Sequence, residues 1–458
     1  MPSLRRELGL FSAALVVVGG IIGSGIFFTP SVTAAALPDA GWVLAIWVLG
    51  GFVALAGALT FAELGAMLPE AGGGYVYIRE AFGPLPAFLC TWMTLAMIAS
   101  GAIAAVAMGF AGYLGRFVPL AGAGGRLGVA ALTIVLLTLT NVLGVRPGVA
   151  VQNALTLVKT AALAALAVTG LVFAAHAGGV VHDLASAPAG LAAPVAPPLL
   201  RGLAAAFVPV LFTIGGWQQM NMIAGEIRDP GRTIPKALTL GIAIVIALYL
   251  AVTGAYLAAL GRDGLALSAA PAAETAARAG GAGAAAAMTV AAMLSILGFL
   301  SVALLANARM VFALGLDRTL LAAAGRVHPR FGSPHVALLL LGGWSLVLLL
   351  ATRGNLGTLL SGVVFADWVF FVLGAASVFR LRRTRPDLPR PYRVPGYPWL
   401  PAAFVLAGIA GIVSAYVSAL RMSLFGTALL ALGALVGTRW GGAPRAPRVP
   451  HVPADTAG

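Results

Sequence analysis

The stretch Gly19-Gly20-Ile21-Ile22-Gly23-Ser24-Gly25-Ile26-Phe27 lies well inside an apolar run covering 10–36. A second stretch, Phe212-Thr213-Ile214-Gly215-Gly216-Trp217-Gln218-Gln219, lies inside another run, 202–226. Each combines glycines with polar side chains and a nearby proline, Pro30 or Pro209. Glycine and proline are the poorest helix formers, so each run is expected to break as a helix at that point. Glycine alone is common where membrane helices pack closely. Most of the 59 glycines therefore carry no further message, and it is the pairing of these two clusters that matters.

The composition fixes the solvent in which these runs sit. Of 458 residues, 60% are hydrophobic and 9% are charged. An ordinary soluble domain carries roughly 25% charged residues. A chain this poor in polar groups cannot cover a water-facing surface, which excludes a soluble enzyme. The mean hydropathy of +0.99 also argues against nucleic acid as the reason for the net charge of +14. The single cysteine, Cys90, rules out an intramolecular disulfide and is read as packing inside an apolar run.

Apolar runs of about 20 residues, enough to cross a bilayer, recur along the whole chain. Besides 10–36 and 202–226 they cover 42–66, 84–113, 127–145, 150–175, 236–260, 286–307, 336–352, 357–379, 398–417 and 421–438. These make roughly twelve helices. They lack the period-two alternation of barrel strands, so an all-α integral membrane protein is predicted. Arg5, Arg6 and the run of Ala34 to Ala36 imitate a signal peptide, but the apolar stretch between them is too long for one. With the amino terminus in the cytoplasm, most of the 28 Lys and Arg fall on the cytoplasmic side. Only Arg116, Arg126, Arg201, Arg262, Arg278, Arg353 and Arg421 fall outside. This predicts cytoplasmic termini and an inner, plasma-membrane location. Segments 176–198 and 261–285 are rich in small residues and read as extracellular connections, and the tail 439–458 reads as cytoplasmic.

The two broken runs are the first and the sixth. They occupy equivalent positions if the chain contains two five-helix repeats, at 1–175 and 202–380, followed by two more helices in 398–438. An odd number of spans per repeat inverts the second relative to the first. Paired interruptions in corresponding spans point to a transporter with its site between the breaks. Free N–H groups at one break suit a carboxylate, and exposed carbonyls at the other suit an ammonium group. Together they describe a site for a zwitterion such as an α-amino acid.

The same residues carry a family resemblance. Ile22-Gly23-Ser24-Gly25-Ile26-Phe27 resembles the first-helix signature of the amino acid–polyamine–organocation (APC) superfamily of permeases. Phe212 to Trp217, with Gly225-Glu226-Ile227-Arg228-Asp229-Pro230-Gly231-Arg232, resembles its sixth helix and the loop that follows. Pro69-Glu70-Ala71-Gly72-Gly73-Gly74-Tyr75 and Arg390-Pro391-Tyr392-Arg393-Val394-Pro395-Gly396 are similar to two of its loops. The nearest branch looks like the L-type amino acid transporters and their bacterial relatives. The resemblance implies a LeuT-type fold of five plus five inverted repeats and two added helices, with helices 1 and 6 unwound at the midplane. It implies that Gly23, Ser24 and Gly25 bind the substrate carboxylate, beside the carbonyl-bearing Ile21 and Ile22. It likewise implies that carbonyls of Phe212, Thr213 and Ile214, in the stretch holding Gly215 and Trp217, take the ammonium. Phe212 would also close over the substrate as a gate. Lys159, inside the fifth run, matches a position where an ammonium replaces the coupling sodium of related transporters. A lysine about nine residues, or roughly 13 Å, into a span is costly unless paired or wet.

Asp367, in Phe365-Ala366-Asp367-Trp368, leaves two roles open: a structural carboxylate, or part of a proton or substrate path. Glu63 and Glu226 read as solvated or gate-pairing groups at helix ends. Arg228, Arg309 and Arg318 are expected to pair with Glu70, Asp229 and Asp317. Met97, Ser100, Trp217, Ser295 and Phe299 are candidates for side-chain selection. With few acidic groups at that depth, neutral amino acids are the expected substrates, apolar or small, although Gln218 and Gln219 add polarity. The five histidines form no metal-binding pair and no phosphate-binding loop is present, so no metal, cofactor or enzymatic cluster is expected. The partners expected are an amino acid, protons and the bilayer. A non-transporting amino-acid sensor and a polyamine or cationic amino acid permease are the competing readings.

Overall fold

The computed structural model describes residues 6–120, 122–176, 197–317, 321–355, 363–418 and 420–440. Segment 177–196, the tail beyond residue 440 and Arg318 lie outside them. The described chain is helical, and its one β-bridge is isolated, between Leu8 and Ile227.

The first apolar run contains α1 (Leu10–Ile21), a 3-10 turn (Gly25–Phe27) and α2 (Thr29–Ala36). Pro30 sits in the first turn of α2, where its missing N–H is tolerated. Next come α3 (Ala40–Met67), capped by the Asp39 carboxylate on the Trp42 N–H, and the short α4 (Gly74–Phe82). The third run divides into α5 (Pro84–Met93), a π-helical turn (Thr94–Ile98) and α6 (Ala99–Leu114). α7 (Gly122–Val142) and α8 (Val145–His176) complete the first half. The second half begins with α9 (Leu199–Ile214) and the one-turn α10 (Gln219–Met222). It continues with α11 (Pro230–Leu267), α12 (Pro271–Leu316), α13 (His335–Ala351) and α14 (Val363–Thr384), then α15 (Trp399–Ser418) and α16 (Leu420–Trp440).

Eight helices among the described residues are long and apolar enough to cross a bilayer. Leu10–Ile21, His335–Ala351 and Ser423–Arg439 are shorter apolar helices. The segment 261–285 differs from its reading as a loop. α11 runs on to Leu267, and α12 already starts at Pro271. Alanine is the best helix former, so an alanine-rich connection folds into helix. Kinks fall at Gly261 and at Gly280-Gly281, whereas Gly264 and Gly283 stay within helix.

α12 is the central column. It is apolar on all sides, and most of it is buried. One face, with Val302, Leu305 and Met310, joins the large core around α1, α3 and α11. The other, with Ile296, Leu300 and Leu304, joins a second core with α6, α7 and α13. Outward stripes such as Leu132, Leu136 and Leu139 on α7 are exposed, as expected of a surface meeting lipid.

The carboxylates at the helix ends are not solvated. Glu63 is buried and accepts from Arg382 Nη2 at 2.6 Å and Nε at 2.9 Å. It also accepts from the Val394 N–H at 2.7 Å, which pins the Arg390–Pro398 segment to α3. Arg309 and Glu226 pair at 2.8 Å with both side chains fully buried. Glu70 and Asp317 instead meet Arg79 of α4, at 3.4 and 3.1 Å, and Glu80 bridges Arg79 to Arg385. Burial together with the adjacent Asp317 carboxylate holds the Tyr75 hydroxyl well above its ordinary value. Arg228 and Asp229 form no salt bridge among the described residues. Arg228 gives its backbone N–H to Leu8, and Asp229 takes a left-handed conformation before α11. The expected partners for Arg309 are thereby corrected: it pairs with Glu226, while Glu70 and Asp317 pair with Arg79.

Breaking a fully buried pair strands a charge, at a cost of about 3–5 kcal/mol. Glu226→Gln and Arg309→Met are each expected to lower the melting temperature of purified protein. The double variant Glu226→Leu/Arg309→Met should recover much of that loss. Melting curves of all three in one detergent check it, and a double variant as unstable as the sum of the singles would contradict it.

Candidate functional site

The two glycine-rich stretches meet at the centre of the molecule. α1 stops at Ile21, and Ile22 turns to an extended conformation. The Gly23, Ser24 and Gly25 N–H groups have no backbone acceptor among the described residues. α9 stops at Ile214, and Gly215 and Gly216 carry the chain away from helix. Helix ends leave carbonyls unbonded. Those of Thr213 and Ile214 accept no backbone hydrogen bond among the described residues.

Close approach explains the glycines at the crossing. Gly216 adopts φ +103°, and a Cβ there would strike the Gly20 carbonyl. A Cβ on Gly20 would lie 2.8 Å from the Gly216 carbonyl oxygen. A Cβ on Gly25 would lie 2.6 Å from Thr213 Oγ1. The two breaks thus touch backbone to backbone, which only residues without side chains allow. Thr213 steadies the contact, bonding to Thr29 Oγ1 at 2.7 Å and donating to the Pro209 carbonyl at 2.8 Å.

Side chains from three other helices take up the carbonyls that α1 loses. Lys159 of α8 is fully buried, and its ammonium donates to the Gly19 carbonyl at 2.8 Å and to the Ile22 carbonyl. Ser295 of α12 donates to Gly23 at 3.1 Å, and Tyr249 of α11 donates to Ile21 at 3.2 Å. Farther up, within α1, Gln152 of α8 adds a second bond to the Leu15 carbonyl at 2.8 Å. The cost of burying an ammonium is therefore offset by carbonyls that otherwise lack donors.

A cavity of about 130 Å³ opens beside the crossing. Ile21, Gly23, Ser24, Gly25, Phe212, Thr213 and Gly215 line it, with Phe299, Gln218, Gln219 and Asp367. Ile22, Ile214 and Trp217 do not. The Ile22 carbonyl already holds Lys159. Trp217 stacks on Phe371 at 5.9 Å and meets Phe61 edge-on at 5.2 Å, bracing the turn after the break. Ser295 is spent on α1, Met97 is buried away from the cavity, and Ser100 donates to the Leu95 carbonyl at 2.7 Å. Of the candidates for side-chain selection, Phe299 alone is on the wall.

The π-helical turn was not foreseen. It places Thr94 and Ile98 on the cavity wall, and Ser100 satisfies a carbonyl that the widened turn exposes. A serine six residues after a threonine in an apolar run is too weak a signal to locate it. The clamps Tyr249 and Gln152 were missed as well, because their partners lie 228 and 137 residues away in sequence.

Comparison with known proteins agrees with this architecture. The sequence profile described as "Amino acid permease" matches residues 8–433. The b(0,+)-type amino acid transporter 1 of Mus musculus is 31% identical over 91% of this chain and 84% of its own length. The human large neutral amino acids transporter small subunit 2 is 31% identical over 86% of this chain and 72% of its own. The serine/threonine exchanger SteT of Bacillus subtilis (strain 168) is 29% identical, covering 87% and 88%. A match over nearly the whole chain, on a helical scaffold with eight apolar helices of spanning length, leads to one conclusion. The chain belongs to the amino acid permease family of the APC superfamily: it is a multi-pass membrane protein of amino acid transport, not an enzyme.

Proposed function

We propose that the protein is a secondary transporter that carries neutral amino acids by alternating access and needs no sodium. The observation that carries this reading is the meeting of unbonded amides at Gly23–Gly25 with unbonded carbonyls at Thr213–Ile214 beside one cavity. The amides and the positive end of the following helix take the α-carboxylate. The carbonyls of Phe212, Thr213 and Ile214 take the α-ammonium. Ile21 and Ile22 hold the approach to the break, Gly215 lets the second backbone turn away, and Trp217 supports that turn from behind. Phe212, half-buried on the cavity wall, is the gate.

Lys159 serves as the fixed cation of the first break. Carbonyl oxygens such as those of Gly19 and Ile22 could coordinate a sodium ion, but the ammonium is already bonded to both. Neutral substrates are favoured by the largely apolar wall, with Ile98, Ala102, Phe299 and Phe371. In the same reading the chain has twelve spans, as five plus five inverted repeats with α15 and α16 added. Both termini are cytoplasmic in a plasma membrane. Exchange and proton-driven symport differ in one readout: an exchanger loses uptake when the vesicle interior holds no amino acid.

Purified protein in liposomes is expected to take up neutral amino acid equally with and without sodium. Strict sodium dependence would overturn the role of Lys159. Lys159→Met should reduce uptake by about tenfold or more, the scale of a lost charge-assisted hydrogen bond of about 1.5–3 kcal/mol. Gly25→Trp should abolish binding, because the indole would occupy the space of Thr213 and the carboxylate. The check is a thermal-shift screen over the amino acids, since ligand at a hundredfold excess over Kd stabilises by about 2.7 kcal/mol. Wild-type affinity in Gly25→Trp would refute this placement of the site.

A further inference from the structure

Asp367 of α14 lines the same cavity, half-buried, and no described residue pairs with it or donates a hydrogen bond to it. Several polar groups on the same wall are bonded to other partners, while the Gln218 and Gln219 side-chain amides and the Cys90 thiol line the cavity without a bond to Asp367. The Thr94 hydroxyl donates to Cys90 at 2.8 Å, and the Asn307 amide donates to Ala303 at 2.8 Å. The Gln218 carbonyl oxygen accepts from the Gly216 N–H at 2.9 Å. Lys159 is turned to the α1 carbonyls, and Arg309 to Glu226. A carboxylate in a membrane helix, on an otherwise mostly apolar wall, receives no hydrogen bond from a described residue. A donor carried by the cargo would satisfy it.

Resting on the reading of the two breaks as the zwitterion site, we propose that Asp367 is the specificity-determining residue for the side chain. It selects neutral amino acids whose side chains carry a hydrogen-bond donor, a hydroxyl or a carboxamide, over aliphatic ones of the same size. Charge balance separates this class from basic side chains. Neither Lys159 nor Asp367 forms a salt bridge among the described residues, and as ammonium and carboxylate they carry opposite charge. A neutral donor satisfies the carboxylate and keeps that balance, whereas a cationic side chain leaves a surplus positive charge in a low-dielectric cavity. A site built around a buried acceptor discriminates strongly against an isostere without the donor, because the acceptor is then left unpaired. Gln219, buried at the same cavity with an unpartnered side-chain oxygen, adds a second polar contact.

The test uses the full-length protein in detergent and three near-isosteric pairs: threonine with valine, glutamine with methionine, and asparagine with leucine. Affinities come from ligand-dependent thermal shift. In the wild type the donor-bearing member of each pair should bind at least about tenfold tighter. Lysine should bind more weakly than glutamine. In Asp367→Ala the threonine-to-valine ratio should collapse to within about threefold of unity. Pairs of equal affinity in the wild type would overturn the proposal, and so would lysine binding tighter than glutamine. An undiminished ratio in Asp367→Ala would overturn it too. Loss of both members together in Asp367→Ala and Asp367→Asn would assign Asp367 to the ammonium or to the fold, which also overturns it. The wild-type ratios need no variant to fold. A wild type that binds no amino acid at all sinks the zwitterion site itself, whereas binding without preference sinks the role of Asp367 alone.

Discussion

The ammonium of Lys159, bonded to the carbonyls of Gly19 and Ile22, is the interaction around which the centre of the molecule is organised. A helix cannot stop in the middle of an apolar core unless something takes its orphaned carbonyls. Lys159 takes two, Ser295 and Tyr249 take the neighbouring ones, and each arrives from a different helix. The break in α1 is therefore a property of α8, α11 and α12 as much as of its own glycines. The Gly23–Gly25 amides lie next to these bonds and have no backbone acceptor among the described residues.

The remaining buried charges follow the same logic at the helix ends. Arg309 of α12 with Glu226 after the second break, and Arg382 of α14 with Glu63 of α3, tie together segments far apart in the chain. Glu226 also receives the amides of Glu7 and Leu8 on its backbone carbonyl, so the segment just before α1 is fastened to the loop after the second break. Such pairs contribute little net stability over apolar substitutes, but removing one member is severe. They fix which helix end sits beside which. Asp367 differs from these pairs, because no described residue donates a hydrogen bond to it.

The helical class, the positions of both breaks and the candidate residues around them are legible in the sequence because each rests on local chemistry. Glycine disfavours helix wherever it occurs, and an apolar run of spanning length has one stable form in lipid. The depth of Lys159 could be counted along its run in the same way. Where the reading went astray, the cause was again local. The segment 261–285 looked like a loop because small residues are common in loops, yet alanine without competing signals prefers helix. Glu63 and Glu226 read as solvated or ion-paired because they stand near the ends of runs; the structure pairs and buries both, with arginines 319 and 83 residues away that no local pattern identifies.

The sequence by itself determined what each segment can be: a membrane-length helix, a break, a buried charge in need of a partner. Composition and spacing act within a few turns of chain and need no fold to take effect. The tertiary structure alone decided which groups meet. It gave Lys159 its carbonyls and drew Ser295 away from the cavity to hold Gly23. It set Trp217 behind the second break among Phe61, Phe371 and Phe404, and widened the turn at Thr94–Ile98. It also left Asp367 facing the cavity with no described partner. These outcomes depend on contacts between residues far apart in the chain, and pairing at that range is set by how the helices pack.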